Sequence, residues 1–320
     1  MMEFAVSTHW NTFRHATGEA MIEEILALGV GAVELGYDLR ADMVPGVKKM
    51  VDEGAVKVLS VHNFCPVPMG THRGHPEIWT PASPDTRTRE SAVYHITRTV
   101  EFAAEMGAKV VVAHAGNVDM SRFSRDLMEW CARGQQFSPA YEKLKMRAQL
   151  SRDKRAPKQI GYLRESIDRL LPELEKHQVM LAFENLPTWE AIPTEMEAEQ
   201  LLQSYNSPWL RSWYDFGHGQ IRQHLGFINT ERWVERLTPW IAGAHIHDFL
   251  PPGQDHVMPP RGTIPFEFYR EFANRDIVRV LEPAPGGDTE QLKEAIAFLG
   301  KCWQITQPSE NQDETTGNEA

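Results

Sequence analysis

Three histidines and three carboxylates recur at matching places along the chain. His62, His114, Glu184, Asp215, His245 and Glu282 each stand near the end of a short apolar run, and from Glu184 onward they lie 31, 30 and 37 residues apart. Burying three carboxylates together costs several kcal/mol each or forces them to take up protons. A bound divalent cation is the simplest compensation, and Glu184, Asp215, His245 and Glu282 are the expected ligands. An oxygen-rich set with one imidazole suits Mn²⁺, Mg²⁺, Co²⁺ or Zn²⁺. Adding His62, His114, His218 and His256 makes the set richer in nitrogen and points to zinc and to more than one ion. Manganese and zinc lead this expectation, with cobalt and magnesium behind them.

The elements that must position these residues are short apolar runs alternating with helical patterns, the signature of parallel strand-helix units. Eight strands are expected, at 4–9, 31–36, 56–63, 109–115, 179–185, 210–216, 241–248 and 277–282. Thr17 and Asp85 are placed to cap helices that Gly29 and Gly107 end. Eight such units predict a single (β/α)8 TIM barrel over 1–304, in which residues one unit apart become neighbours at the mouth where the strands end. An open doubly wound sheet shares the local pattern, but no GxGxxG follows the first strand. The 65 residues from His114 to Val179 exceed what one helix and two loops need, so an insertion is expected between the fourth strand and its helix. It is basic: 121–164 holds eleven Lys or Arg against four Asp or Glu. It reads as a solvated helical lid or as a site for an anionic ligand. The acidic stretch 305–320 has no periodicity and is expected to be a disordered tail.

With 42% hydrophobic and 24% charged residues in 320, the chain has ample material for a core. Its net charge of -11 disfavours nucleic acid and anionic membranes as partners and leaves small molecules as the default. Cys65, Cys131 and Cys302 are too few and too scattered for a disulfide framework or a metal knuckle. No secretory leader or membrane-spanning run is read, so a cytoplasmic location is expected.

With these residues in place, the sequence resembles the xylose isomerase-like TIM-barrel superfamily, which includes sugar epimerases, inosose dehydratases and endonuclease IV. The resemblance spans about residues 3–303 and rests on GAVELG, SVHNF, VVVAHAG, LAFENL, YDFGHG, AHIHD and VLEPAP, in that order. It implies that Glu184, Asp215, His245 and Glu282 are the shared metal ligands. It also implies that His218 touches substrate, as in the epimerases, or binds a further zinc, as in the endonuclease. The chain departs from both branches. Asp255 stands one place from where the endonuclease pattern has its aspartate, and Pro251 replaces the arginine of the ketohexose epimerases. Neither a third zinc nor ketohexose specificity is therefore expected.

The expected activity is a metal-dependent isomerisation or epimerisation of a sugar, keto-polyol or cyclitol derivative. Metal chelated by two vicinal substrate oxygens acidifies the adjacent C–H, and Glu184 and Glu282 act as acid and base on opposite faces of the resulting enediolate. The same machinery can expel a β-hydroxyl, giving a dehydratase or another lyase. A rival reading is a zinc phosphodiesterase of the endonuclease IV kind, with His62 and His114 completing a multinuclear site; a silent binding protein is the third. For substrate contacts the sequence offers His218, His247, Glu34, Arg261 and Trp10. His247 shares a strand face with His245 and serves equally as support, and Glu34 reads equally as half of a buried ion pair. A homo-oligomer is compatible with the resemblance.

Overall fold

The computed structural model describes residues 3–303, so the expected tail lies outside the described residues. Eight parallel strands close into a barrel: β1 (Ala5–Ser7), β2 (Ala32–Leu35), β3 (Lys57–His62), β4 (Val110–Ala113), β5 (Met180–Glu184), β6 (Leu210–Asp215), β7 (Ile241–Ile246) and β10 (Val278–Leu281). Their order around the ring is β1-β10-β7-β6-β5-β4-β3-β2, so the expected barrel is the fold and the open sheet is not. Each strand is shorter by one to three residues than the apolar run that marks it, because the outermost residues of a run already turn toward the loops.

Helices pack on the outside. Helix α1 (Gly18–Leu26) starts at Thr17, whose hydroxyl accepts the Ala20 N–H, and α3 (Thr86–Glu105) starts at Asp85, whose carboxylate accepts the Thr88 N–H. Gly29 and Gly107 follow with φ of 80° and 78°, the left-handed turn that glycine adopts without penalty. The remaining helices are α2 (Val44–Asp52), α4 (Phe123–Ala132), α5 (Pro139–His177), α6 (Glu195–Tyr205), α7 (Phe216–His224), α8 (Thr230–Leu237), α9 (Glu271–Asn274) and α10 (Thr289–Cys302). No described helix is long and apolar enough to cross a membrane.

The expected insertion is α4 plus an extended α5. In α5 the buried residues Tyr141, Ala148, Arg152, Ala156, Gln159, Leu163, Ile167, Leu170 and Leu174 recur at helical spacing, so one seam holds the whole 39-residue helix to the barrel. Pro157 and Pro172 lie within it, although proline usually ends a helix. A two-stranded hairpin unforeseen in the sequence, β8 (Asp248–Leu250) with β9 (Gln254–Val257), rises from the end of β7.

Inside the barrel two layers alternate with the pleat. Ala5, Ala32, Val112, Ala182, Trp213 and Val280 belong to a compact apolar cluster. Two residues further along each chain stand Ser7, Glu34, His114, Glu184, Asp215 and Glu282. Side chains two apart on a strand share a face, so the same strands that fill the barrel base lift these polar groups to its mouth.

Candidate metal and proton-transfer site

His245 is the hub. Its side chain is wholly buried, and Nε2 donates to Glu34 Oε1 at 2.9 Å, while Ser60 Oγ holds the other Glu34 oxygen at 2.7 Å. The opposite nitrogen, Nδ1, lies 3.2 Å from Glu282 Oε2, 3.5 Å from Glu184 Oε1 and 3.7 Å from Asp215 Oδ2. Yet it makes no hydrogen bond, since none of those oxygens is in line with an N–H there. Burial lowers the His245 imidazole, yet Glu282, Glu34 and Glu184 outweigh it and raise it well above its ordinary range, and an unpaired, fully buried nitrogen facing three carboxylates is equally well placed to meet a cation. A carboxylate behind the other nitrogen is the usual support of a metal-binding histidine. The residues present therefore fit a divalent metal.

Further histidines surround this point. His62 donates Nδ1–H to the Asn63 carbonyl at 3.1 Å, which turns Nε2 to Glu184 Oε2 at 3.2 Å. His114 Nε2 lies 3.3 Å from the same oxygen, with Glu77 3.5 Å behind Nδ1. His218 Nδ1 is 3.1 Å from both the Asn185 carbonyl and Glu184 Oε1, and Nε2 faces Asp255 Oδ2 at 3.7 Å. His256 donates Nδ1–H to the Glu282 carbonyl at 3.1 Å. Three-residue groups able to hold an ion include His62–His114–Glu184, Glu184–Asp215–His218 and Glu34–His245–Glu282.

Electrostatics agree with the crowding of negative charge. Burial pushes the Glu282 carboxyl up, but the His245 and His256 imidazoles outweigh it and hold it at about 2. Burial likewise lowers His114 and His218, yet Glu184 with Glu77 lifts the first to about 9, and Asp215 with Glu184 lifts the second to about 10. The carboxylates thus draw positive charge from whatever source is present.

The structure separates the remaining expected residues. His247 is buried: its Nδ1 accepts the His256 N–H at 2.8 Å, so Nε2 carries the proton and donates to Asp215 Oδ2 at 2.9 Å. It orients Asp215 and has no atom left for substrate. Its ring fills the space above Gly217, where a Cβ would come within 2.2 Å, which explains the first glycine of YDFGHG. Glu34 is the buried ion-pair partner of His245. Trp10 is fully buried, donates Nε1–H to the Gly287 carbonyl at 2.7 Å and lies under Arg14, a packing role in place of the expected substrate contact. Arg261 pairs at the surface with Glu294 on α10 at 2.6 Å and is not among the residues lining the cleft above the cluster.

A cleft of about 810 Å³ opens above the cluster, with His114 and His218 among its walls beside Tyr37, Glu77, Asn117 and Arg122. Tyr37 escapes the sequence reading. Its hydroxyl lies 2.9 Å from His9 Nε2, and His9 Nδ1 lies 3.1 Å from Asp38 Oδ2, a chain that fixes the tyrosine. Asp255, out of place against the endonuclease pattern, is carried to His218 by the hairpin. Consecutive polar residues such as Tyr37-Asp38 after an apolar run were the available signal for Tyr37.

The sequence pattern of the xylose isomerase-like TIM barrel matches residues 22–302. No curated protein sequence matches the chain. Among solved structures, 3-keto-D-glucoside 4-epimerase from E. coli superposes with a TM-score of 0.66 at 15% identity, over 94% of this chain and 100% of that one. An AP endonuclease, family 2, from Brucella melitensis gives 0.61 at 15%, over 94% and 99%. The IolI protein with a bound zinc atom gives 0.59 at 14%, over 94% and 96%. At such identities these likenesses speak for the fold, in agreement with the closed barrel, and with the matched pattern over most of its length the chain belongs to the xylose isomerase-like TIM barrel family.

Proposed function

We propose that the protein is a divalent-metal-dependent isomerase or epimerase of a sugar, keto-polyol or cyclitol derivative. The observation that carries this reading is the approach of Glu184 and Glu282 to His245 Nδ1, at 3.5 and 3.2 Å, from well-separated strands. Around the ring β5 and β10 are separated by β6 and β7 one way and by four strands the other. Glu184, Asp215, His245 and Glu282 would hold the ion, with Glu34 and His247 orienting His245 and Asp215. A divalent ion there supplies positive charge that stabilises negative charge developing on substrate oxygens.

Glu184 and Glu282 carry the protons. One carboxylate takes the proton from the carbon beside the carbonyl, and the other returns one to the opposite face, which inverts that carbon. His218, at the cleft wall, hydrogen-bonds a substrate hydroxyl. Burial around His245 keeps bulk water from the reacting carbon. Departure of a β-hydroxyl before reprotonation would make the product that of a lyase. The fold likeness to an epimerase of a keto-glucoside and to a zinc-binding family member supports the class of substrate and the metal.

A second reading, a zinc phosphodiesterase, is favoured by one feature: His62 Nε2 and His114 Nε2 converge on Glu184 Oε2 at 3.2 and 3.3 Å, a second ligand set sharing that carboxylate. Elemental analysis of the purified protein, paired with solvent deuterium incorporation over keto-sugars and cyclitol ketones, decides between them. One ion per chain and deuterium at a single carbon is the expected result. Two or three zincs per chain, no exchange, and cleavage of phosphodiesters would overturn the isomerase reading.

A further inference from the structure

The basic insertion has no part in the chemistry above, yet it is joined to the cleft. Gln159 of α5, itself buried, accepts the Asp119 N–H at 2.6 Å and donates to the Asn117 carbonyl at 2.7 Å; Arg155 donates to the Asp119 carbonyl at 2.9 Å. The helix and the loop after β4 therefore form one wall. Beside that wall lies a second hollow of about 390 Å³, lined by Lys154, Arg155, Lys158 and Tyr162 together with Asp119. Pro84, Asp119 and Gln159 line both spaces, so the hollow continues the cleft over the metal site.

Several helix lysines are paired: Lys48 with Asp52 on α2, Lys293 with Glu290 on α10, and, on α5 itself, Lys145 with Glu142 and Lys176 with Glu173. Lys154 and Lys158 instead stand four residues apart, where like charges repel, and neither has a carboxylate within 4.0 Å among the described residues. Tyr162 continues the same face at the next i+4 position, with Arg89 4.3 Å from its ring centre and Lys158 5.9 Å from it. Three lining cations, Lys154, Arg155 and Lys158, against one lining carboxylate, Asp119, beside an aromatic face and in continuity with a reaction site, are the complement of an anion.

We propose that this hollow is a subsite for an anionic group, a phosphate monoester or a carboxylate, carried by the substrate away from its reacting carbon. Lys154 and Lys158 bind the anion, Arg155 lines the hollow where it meets the cleft, and Tyr162 covers the adjoining carbon skeleton. The proposal rests on the isomerase reading for its substrate and narrows it to anionic sugars or cyclitols. It also gives the local positive charge of a net acidic chain a use.

The test is calorimetric titration of the metal-loaded protein with fructose 6-phosphate, glucuronate, fructose and inorganic phosphate, at low and high salt, for wild type and for the double variant Lys154→Ala/Lys158→Ala. Both lysines are exposed, so the melting temperature is expected to stay where it is. An anionic sugar should bind about 10-fold more tightly than fructose, as two charge-assisted contacts allow, and lose that advantage in the variant and at high salt. Whether fructose 6-phosphate or glucuronate shows it identifies the anion. Equal binding of neutral and anionic sugars, or phosphate binding that survives in the variant because it resides at the His245 cluster, overturns the subsite. The two proposals fail separately. Deuterium exchange confined to neutral sugars removes the subsite and keeps the isomerase, whereas variant-sensitive phosphate binding without any exchange keeps the subsite and removes the isomerase.

Discussion

The base and the mouth of the barrel interior are built by the same strands and hold opposite contents. At the base, Trp213 is packed among Ala5, Ala32, Ala182 and Val280. At the mouth, two residues further on, Asp215, Glu34, Glu184 and Glu282 surround His245. The contact between the layers is direct, for the Trp213 ring meets that of His245 edge-on at 5.1 Å between centres. A layer that fills space gains from close packing, whereas a layer of charges gains only if each group has a partner or an ion. The comparison teaches that one layer should answer to changes of volume and the other to changes of charge.

The mouth offers the largest effect. Glu184→Gln and Glu282→Gln keep side-chain volume and remove one acid or base each, so turnover should fall by about 10²- to 10⁴-fold. The melting temperature should fall modestly, because each carboxylate is held ionised by buried imidazoles that lose their partner. Rates of deuterium incorporation into the substrate, read beside thermal melts, check both halves; wild-type turnover in either variant sinks the two-glutamate mechanism.

At the base the signs reverse. Trp213→Ala leaves a large buried void and should cost about 3–5 kcal/mol of stability. Gly243→Ala tests the same spot by overfilling, since a Cβ there would sit 2.3 Å from the Trp213 ring and 2.8 Å from the Val278 carbonyl. About 1–3 kcal/mol is expected for that change. Urea unfolding measures both. If either variant melts like wild type while losing metal, the two layers are not the separate units drawn here.

The sequence exposes these layers unequally. Short apolar runs followed by His, Asp or Glu at unit spacing reveal the barrel and the polar cluster at its mouth, because buried strands and buried charges each leave a local mark. Trp10 and Arg261 carry no such mark. Trp10 follows a strand and turns inward to Gly287, and Arg261 is held by Glu294, 33 residues away, so their places depend on contacts that no local pattern encodes. The β8–β9 hairpin reads as loop from its Pro251-Pro252-Gly253 turn. Within it His256 has a φ of 52°, and Asp255 lies 3.7 Å from His218 Nε2 in spite of its displaced position. Prolines argue against a single α5, yet its buried seam is strong enough to carry the helix through both.

The finest test acts on the join between the layers. Glu34 belongs to the mouth by charge and is fully buried; it accepts from His245 Nε2 at 2.9 Å and from Ser60 at 2.7 Å, so its effect on an ion at His245 Nδ1 would pass through the imidazole. In Glu34→Gln the amide oxygen can still accept from His245, so ring orientation is retained. What is lost is the negative charge that raises the basicity of Nδ1. The volume of the layer is unchanged, so the metal-free protein should melt near the wild-type temperature. Metal affinity, measured by competition with a chromophoric chelator, should fall about 10-fold, the low end for loss of such a partner. Unchanged affinity would mean that Glu34 only fills its place, as Trp213 does below it. A fall in affinity with an unchanged metal-free melt would place the boundary between charge and volume at this side chain.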